Sequence, residues 1–142
     1  MFIKQVSVFL ENREGRLRSA LEVVKEENIN ILSLSLADSS DYGMLRMITK
    51  DAAKTKDALK RAGLSAHLTD VVAIRLPHTV GSLQGVIESI CGAGINIEYM
   101  YALSTKVENA CIVIKPENKD NCKEALEKLS FDFLTDADIE NF

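Results

Sequence analysis

The strongest constraint on this chain is a repeat inside it. Gly15 and Gly81 lie 66 positions apart, and at that offset Val6 meets Val72, Leu10 meets Leu76, Leu17 meets Leu83 and Glu22 meets Glu88. The triplet Ile29-Asn30-Ile31 recurs in the same register as Ile95-Asn96-Ile97. Ile48 meets Ile114 and Thr69-Asp70 meets Thr135-Asp136, whereas Ala58-Leu59 matches Ala125-Leu126 one residue later, as a loop insertion near the second helix would produce. A chain of 142 residues divided in this way holds two domains, 1–69 and 70–142, joined near His67–Val71. No Gly/Ser-rich linker separates them, so they are expected to pack together rather than be tethered loosely.

Each half carries the pattern βαββαβ. In the first, Ile3–Leu10 alternates as a strand, and a helix over Gly15–Glu27 places Leu17, Ala20, Leu21 and Val24 on one stripe, with Asn28 or Asn30 suited to its end. Strands over Asn30–Ala37 and Gly43–Thr49 flank a turn at Asp38-Ser39-Ser40-Asp41. A second helix over Ala52–Ala62 stops at Gly63, and a short strand, Leu64–Leu68, closes the half. The second half gives a strand at Val71–Leu76, a helix at Gly81–Ala93, a hairpin of Asn96–Leu103 with Glu108–Lys115, a helix near Glu117–Leu129 begun by Pro116, a strand at Phe131–Leu134 and an acidic tail. The element order fits an α+β class, two ferredoxin-like sandwiches with antiparallel sheets and helices on one face. Both sides of the Asn30–Ala37 and Gly43–Thr49 hairpin carry apolar groups, so its second face is expected to meet another sheet, through domain pairing or a homodimer.

Composition removes several classes of function. The formal net charge is −4, and Lys54, Lys56, Lys60 and Arg61 are diluted by Asp51 and Asp57, which argues against nucleic acid. No apolar run nears the roughly 20 residues of a membrane helix, and Met1–Val6 reads as a strand rather than a signal peptide; no membrane association and a cytoplasmic location are expected. Cys91, Cys111 and Cys122 lack metal or redox spacing and fall in apolar-periodic segments, as buried free thiols do; His67 and His78 stand apart, so neither metal nor cofactor is expected.

The chemistry concentrates in two loops, Glu11-Asn12-Arg13-Glu14-Gly15-Arg16-Leu17 and His78-Thr79-Val80-Gly81-Ser82-Leu83. Each joins a strand to a helix through a glycine. A glycine lets backbone approach a small ligand, and a helix start offers N–H groups and a positive dipole end to a carboxylate. Asn12, Asn30 and Asn96 can accept from an ammonium and donate to an anion. The structural alternatives are a helix N-cap for Asn12 and a strand-entry turn for Asn30 and Asn96. Tyr99 and Tyr101, opposite Ser33 and Ser35 in the repeat, suit packing.

The halves resemble ACT domains, on the strength of Leu10–Leu17 followed by Ile29-Asn30-Ile31, and of Leu76–Leu83 followed by Ile95-Asn96-Ile97. The resemblance covers nearly the whole chain and points to a stand-alone tandem. It implies a regulatory, allosteric protein that binds a free amino acid between paired ACT domains and signals to a metabolic enzyme or transcription regulator. By the same resemblance the contacts come from Glu11, Asn12, Arg13, Glu14, Gly15, Arg16, Leu17, Asn30 and Ile31 in the first half. In the second they come from His78, Thr79, Val80, Gly81, Ser82, Leu83, Asn96 and Ile97. Leu10 and Leu76 stand where some members have a histidine, which argues against a serine-type ligand, and His78 replaces the loop asparagine. The alternative is a protein–protein adaptor, like the glycine cleavage repressors, with no ligand of its own. An enzyme is not expected, since Ser82 lacks an evident base and neither loop carries a cysteine. An RNA-binding module is not expected, since the aromatic strand signature is missing from Met44–Thr49 and Ala110–Lys115 and the charge is wrong for it.

Overall fold

The computed structural model describes residues 1–38, 41–104 and 109–142. Twelve elements follow one another: β1 (Phe2–Glu11), α1 (Arg16–Glu26), β2 (Ile31–Asp38), β3 (Tyr42–Thr49), α2 (Ala52–Arg61), β4 (Ser65–Leu76), α3 (Ser82–Gly92), β5 (Ile97–Leu103), β6 (Ala110–Pro116), α4 (Lys119–Lys128), β7 (Asp132–Phe133) and α5 (Asp136–Asn141). They divide into an N-terminal unit, Lys4–Thr69 with Ile139–Phe142, and a C-terminal unit, Met1–Ile3 with Asp70–Asp138.

In the N-terminal unit the strand order is β2-β3-β1-β4, with β2–β3 and β1–β3 antiparallel. Val6 and Val8 sit opposite Met47 and Leu45, and Leu34 and Leu36 opposite the same two residues. This face receives Ala20 and Val24 of α1 and Leu59 of α2, a fully buried core that the alternation of each strand and the stripe of each helix jointly dictate. Leu34 and Leu36, on the outermost strand, remain 41% and 48% exposed. The opposite face carries Ser7, Arg46 and Ser35 in register, with the Phe9 ring 6.1 Å from His67. Buried polar groups are paired there: Gln5 Nε2 donates to Ser7 Oγ at 2.8 Å, and Ser7 Oγ lies 2.9 Å from Thr69 Oγ1.

The C-terminal unit repeats the plan as β5-β6-β4, with β7 also against β4. Val72, Ile74 and Leu76 lie opposite Ile114, Ile112 and Ala110, and with Val86, Ile90, Cys122 and Leu126 they form its core, against which Met1 and Phe2 pack. The ferredoxin-like α+β class expected from the pattern is therefore the class observed. Three helices end in the same way. The residue after the cap takes a left-handed conformation and its N–H, with that of the next residue, turns back to the last carbonyls: Gly63 and Leu64 for α2, Gly94 and Ile95 for α3, Asn28 and Ile29 for α1.

Several expectations are corrected. The strands expected at Leu64–Leu68 and Val71–Leu76 are one strand, β4. Thr69 and Asp70 look like a break, but Thr69 is held by Ser7 and Asp70 by Lys119 at 3.0 Å. Pro116 closes β6 opposite Ile97; α4 starts three residues later, where Asn118 Oδ1 accepts from the Asp120 N–H. The acidic tail is the helix α5, whose Asp138 accepts from the N–H and hydroxyl of Thr135. The one-residue slip falls in the β5–β6 hairpin rather than near the second helix, because Met47, not Ile48, is the register counterpart of Ile114. The match of Thr69-Asp70 with Thr135-Asp136 is thus coincidental: the first pair lies in β4 and the second opens α5. Cys111 and Cys122 are buried thiols, but Cys91 is exposed. The turn expected at Ser39-Ser40 and the strand start expected at Glu108 lie outside the described residues.

Candidate functional site

The two glycine loops have the same backbone. Gly15 has φ 82° and ψ −12°, Gly81 φ 86° and ψ −12°; both are the N-cap of the following helix, and no side chain caps either helix. The first N–H of each helix is taken from within its loop, Arg16 N–H by the Arg13 carbonyl at 3.4 Å and Ser82 N–H by the Thr79 carbonyl at 3.2 Å; with no capping side chain, the next N–H groups, of Leu17 and Arg18 and of Leu83 and Gln84, are left to an outside acceptor. Asn12 does not take the alternative role of N-cap, which falls to Gly15: its own N–H donates to the Asp41 carbonyl at 3.0 Å, tying the loop to the start of the β2–β3 hairpin's return strand. Glu11 through Gly15 are exposed.

The loops differ in charge. In the first, the Glu11 carboxylate lies 2.7 Å from Arg13 Nε and 3.1 Å from Arg16 Nη2, so one carboxylate is shared by two guanidinium groups and the cluster keeps a net positive charge, in an exposed setting where such pairs add little stability. Leu17 turns inward onto the N-terminal core. The second loop has no ionic cluster. Its Thr79 and Ser82 hydroxyls meet at 2.6 Å, Pro77 and His78 are exposed, and Val80 and Leu83 present apolar side chains to solvent.

The strand-start residues stand apart from the loops. Helix α1, eleven residues long, spans about 16 Å; the Gly15 loop is at its beginning, and Asn30 and Ile31 lie beyond its end. Gly81 and Asn96 are separated in the same way by α3. Within one unit the structure brings the loop residues together, but not with Asn30-Ile31 or Asn96-Ile97. At the far end of α1 a pocket of about 420 Å³ is lined by Leu21, Val24, Lys25, Asn28, Ile29, Asn30 and Ile31. The sequence reading takes Asn28 only as a helix end and leaves Lys25 out; the signal lies in the repeat, where they occupy the positions of Gly94 and Cys91.

The strand starts also differ. The Asn30 carbonyl accepts from the Lys50 N–H and the Asn96 carbonyl from the Glu117 N–H, which makes Lys50 the counterpart of Glu117. Asn96 Nδ2 donates to Glu117 Oε2 at 3.2 Å, whereas Lys50 offers Asn30 no acceptor. Among the described residues no group of three or more His, Cys, Asp or Glu is placed to hold a metal, and no helix is long and apolar enough to cross a membrane.

A two-copy βαββαβ chain with matched glycine turns defines a class of paired ferredoxin-like modules. The family model for an ACT domain pair matches residues 1–142, and the chain belongs to that family. It is similar over 100% of its length to 98% of protein BT0572 from Bacteroides thetaiotaomicron, at 39% identity and a TM-score of 0.90. It also resembles, in fold, the regulatory subunit of aspartate kinase from Thermus thermophilus in its ligand-free form (16% identity, TM-score 0.58, covering 88% of this chain and 91% of that one). The corresponding subunit from Thermus flavus gives 20% identity, a TM-score of 0.59 and 88% coverage of each chain. No curated protein matches by sequence.

Proposed function

We propose that the protein is an amino-acid sensor, without catalytic activity of its own, which binds a free amino acid between ACT units of two copies of the chain and signals to a metabolic enzyme or transcription regulator. The observation that carries this reading is the recurrence of one device: two helix N-termini, each opened by a left-handed glycine and capped by no side chain. The carboxylate of the ligand takes the N–H groups that follow the first residue of the helix, which is already bonded within the loop. Its remaining groups meet the start of β2 or β5 from a second copy, since one unit holds loop and strand start about a helix length apart. Exposed Leu34 and Leu36 on the outermost strand support a homodimer, and exposed Val80 and Leu83 support a protein contact at the second loop. Binding then shifts the equilibrium toward the paired state by its differential affinity for it.

A thermal-shift screen of the twenty amino acids tests the reading. One of them should raise the melting temperature, by an amount equivalent to about 2.7 kcal/mol at a hundred times Kd. Gly15→Val or Gly81→Val should abolish that rise at its own loop. A full shift in the double variant at saturating ligand sinks the assignment, and no shift with any amino acid leaves the adaptor role instead.

A further inference from the structure

The pocket at the end of α1 is a place where the two halves diverge in chemistry. Three positions differ around an otherwise matched frame, in which Leu21, Val24, Ile29 and Ile31 correspond to Ile87, Ile90, Ile95 and Ile97. Lys25 stands for Cys91, Asn28 for Gly94 and Lys50 for Glu117. Every change moves the N-terminal unit toward an anion: a thiol becomes an ammonium, a bare glycine gains an amide, and a carboxylate becomes a second ammonium. Neither Lys25 nor Lys50 has an ion-pair partner among the described residues, and the side-chain amides of Asn28 and Asn30 are likewise uncommitted. In the C-terminal unit the matching amide, Asn96, is already occupied by Glu117.

Asn28 carries a further mark. Its φ of 54° makes it the one non-glycine residue with positive φ among those described, in a helix-ending motif that α2 and α3 build with Gly63 and Gly94. Glycine would serve the backbone better there; an amide at that position is kept at the cost of some strain. The negative end of the α1 dipole does not oppose an anion strongly at this mouth. The Val24 and Lys25 carbonyls are turned back to the Ile29 and Asn28 N–H groups, and Lys25 supplies a full positive charge in the last turn.

We infer that this pocket receives the side-chain carboxylate of an acidic amino acid, with Lys25 and Asn28 as the specificity-determining residues, and that the C-terminal unit has no equivalent site. The inference rests on the amino-acid sensor reading and names the ligand class for it. The apolar floor of Leu21, Val24, Ile29 and Ile31 accommodates the methylene groups of the side chain. Lys25, with Lys50 beside the entry to β2, supplies the charge that separates aspartate and glutamate from their amides.

Isothermal titration of the intact protein with aspartate, glutamate, asparagine, glutamine, leucine and lysine provides the test. An acidic amino acid should bind at least tenfold more tightly than its amide. Lys25→Met should remove that preference by weakening the acid tenfold or more while leaving the amide unchanged. Asn28→Gly should keep or raise the melting temperature of the unliganded protein and still weaken the acid several-fold, which separates loss of a ligand contact from loss of fold. A preference for a neutral or basic amino acid overturns the inference and leaves the sensor reading standing, as does unchanged acid binding by Lys25→Met. Absence of binding by all six overturns the inference, and the sensor reading falls with it only if the thermal-shift screen of all twenty amino acids is also blank.

Discussion

At the scale of single residues, Gly15 and Gly81 show how a backbone requirement can be separated from a packing one. A Cβ added at either would meet no atom within 4 Å, so space does not exclude a side chain. The cost is conformational, because φ values of 82° and 86° lie where L-residues are disfavoured by about 1–2 kcal/mol. Gly15→Ala and Gly81→Ala should each lower the unfolding free energy in urea by about that much, and roughly additively, since the two loops share no described partner. A change under a few tenths of a kcal/mol in both would show that the loops relax out of the left-handed region. These glycines were legible from sequence because the repeat fixed their offset. The pocket residues Lys25 and Asn28 were not, because a lysine and an asparagine at a helix end are ordinary. Only the comparison with Cys91 and Gly94, once the helix ends were superimposable in hydrogen bonding, gave them meaning.

At the scale of elements, ion pairs join segments that are distant in sequence. Glu27, at the end of α1, accepts from Arg61 at 2.7 Å and lies 3.4 Å from Lys54, so α1 and α2 are tied across the helix layer. The hydrogen bond from Lys54 is the main reason that the Glu27 carboxyl is held below its ordinary pKa; partial burial works the other way and Arg61 adds to the lowering. In the C-terminal unit, Thr135 above all, then Arg75, holds Asp138 below the ordinary aspartate value, while Asp132 at 2.7 Å raises Arg75. A carboxylate with a lowered folded-state pKa stabilises above its unfolded-state pKa and loses that contribution as pH falls through the lowered value. Stability in urea should therefore be flat from neutral pH down to the ordinary carboxylate range and fall below it. Glu27→Gln with Asp138→Asn should start lower and decline less steeply; the same slope in the double variant would remove these two groups as its source. The helices and most strands were readable from periodicity. The continuity of β4 was not, since Asp70 is accommodated by Lys119, 49 positions further on, and local sequence cannot show that. Nor was α5, six residues whose charge hides the buried Ile139.

At the scale of the molecule, the proposed dimer makes a prediction of its own. Leu34 and Leu36 lie on the helix side of β2, opposite Met47 and Leu45, yet nearly half of each is exposed. Lysine at both positions should leave the monomer folded, because exposed sites tolerate charge, while putting like charges into a two-fold interface. Sedimentation velocity should then show a dimer for the natural chain and a monomer for the double variant. Equal sedimentation of the two would place any self-association elsewhere.

The exchange of chain ends between the units has a practical consequence for anyone dividing the gene. A fragment cut at the repeat boundary, after Thr69, severs β4 in mid-strand. The downstream piece would leave behind Met1–Ile3, including the Phe2 ring that its core packs against and that Lys119 covers at 5.2 Å, while carrying Ile139–Phe142, which belong with the other piece. Autonomy in this protein therefore does not follow the ancestry of its halves: the duplicated segments are legible as copies, but neither is a detachable part. Engineers wanting one sensing half should graft the three-residue leader onto the second copy, or express the two pieces together and expect them to fold only as complements.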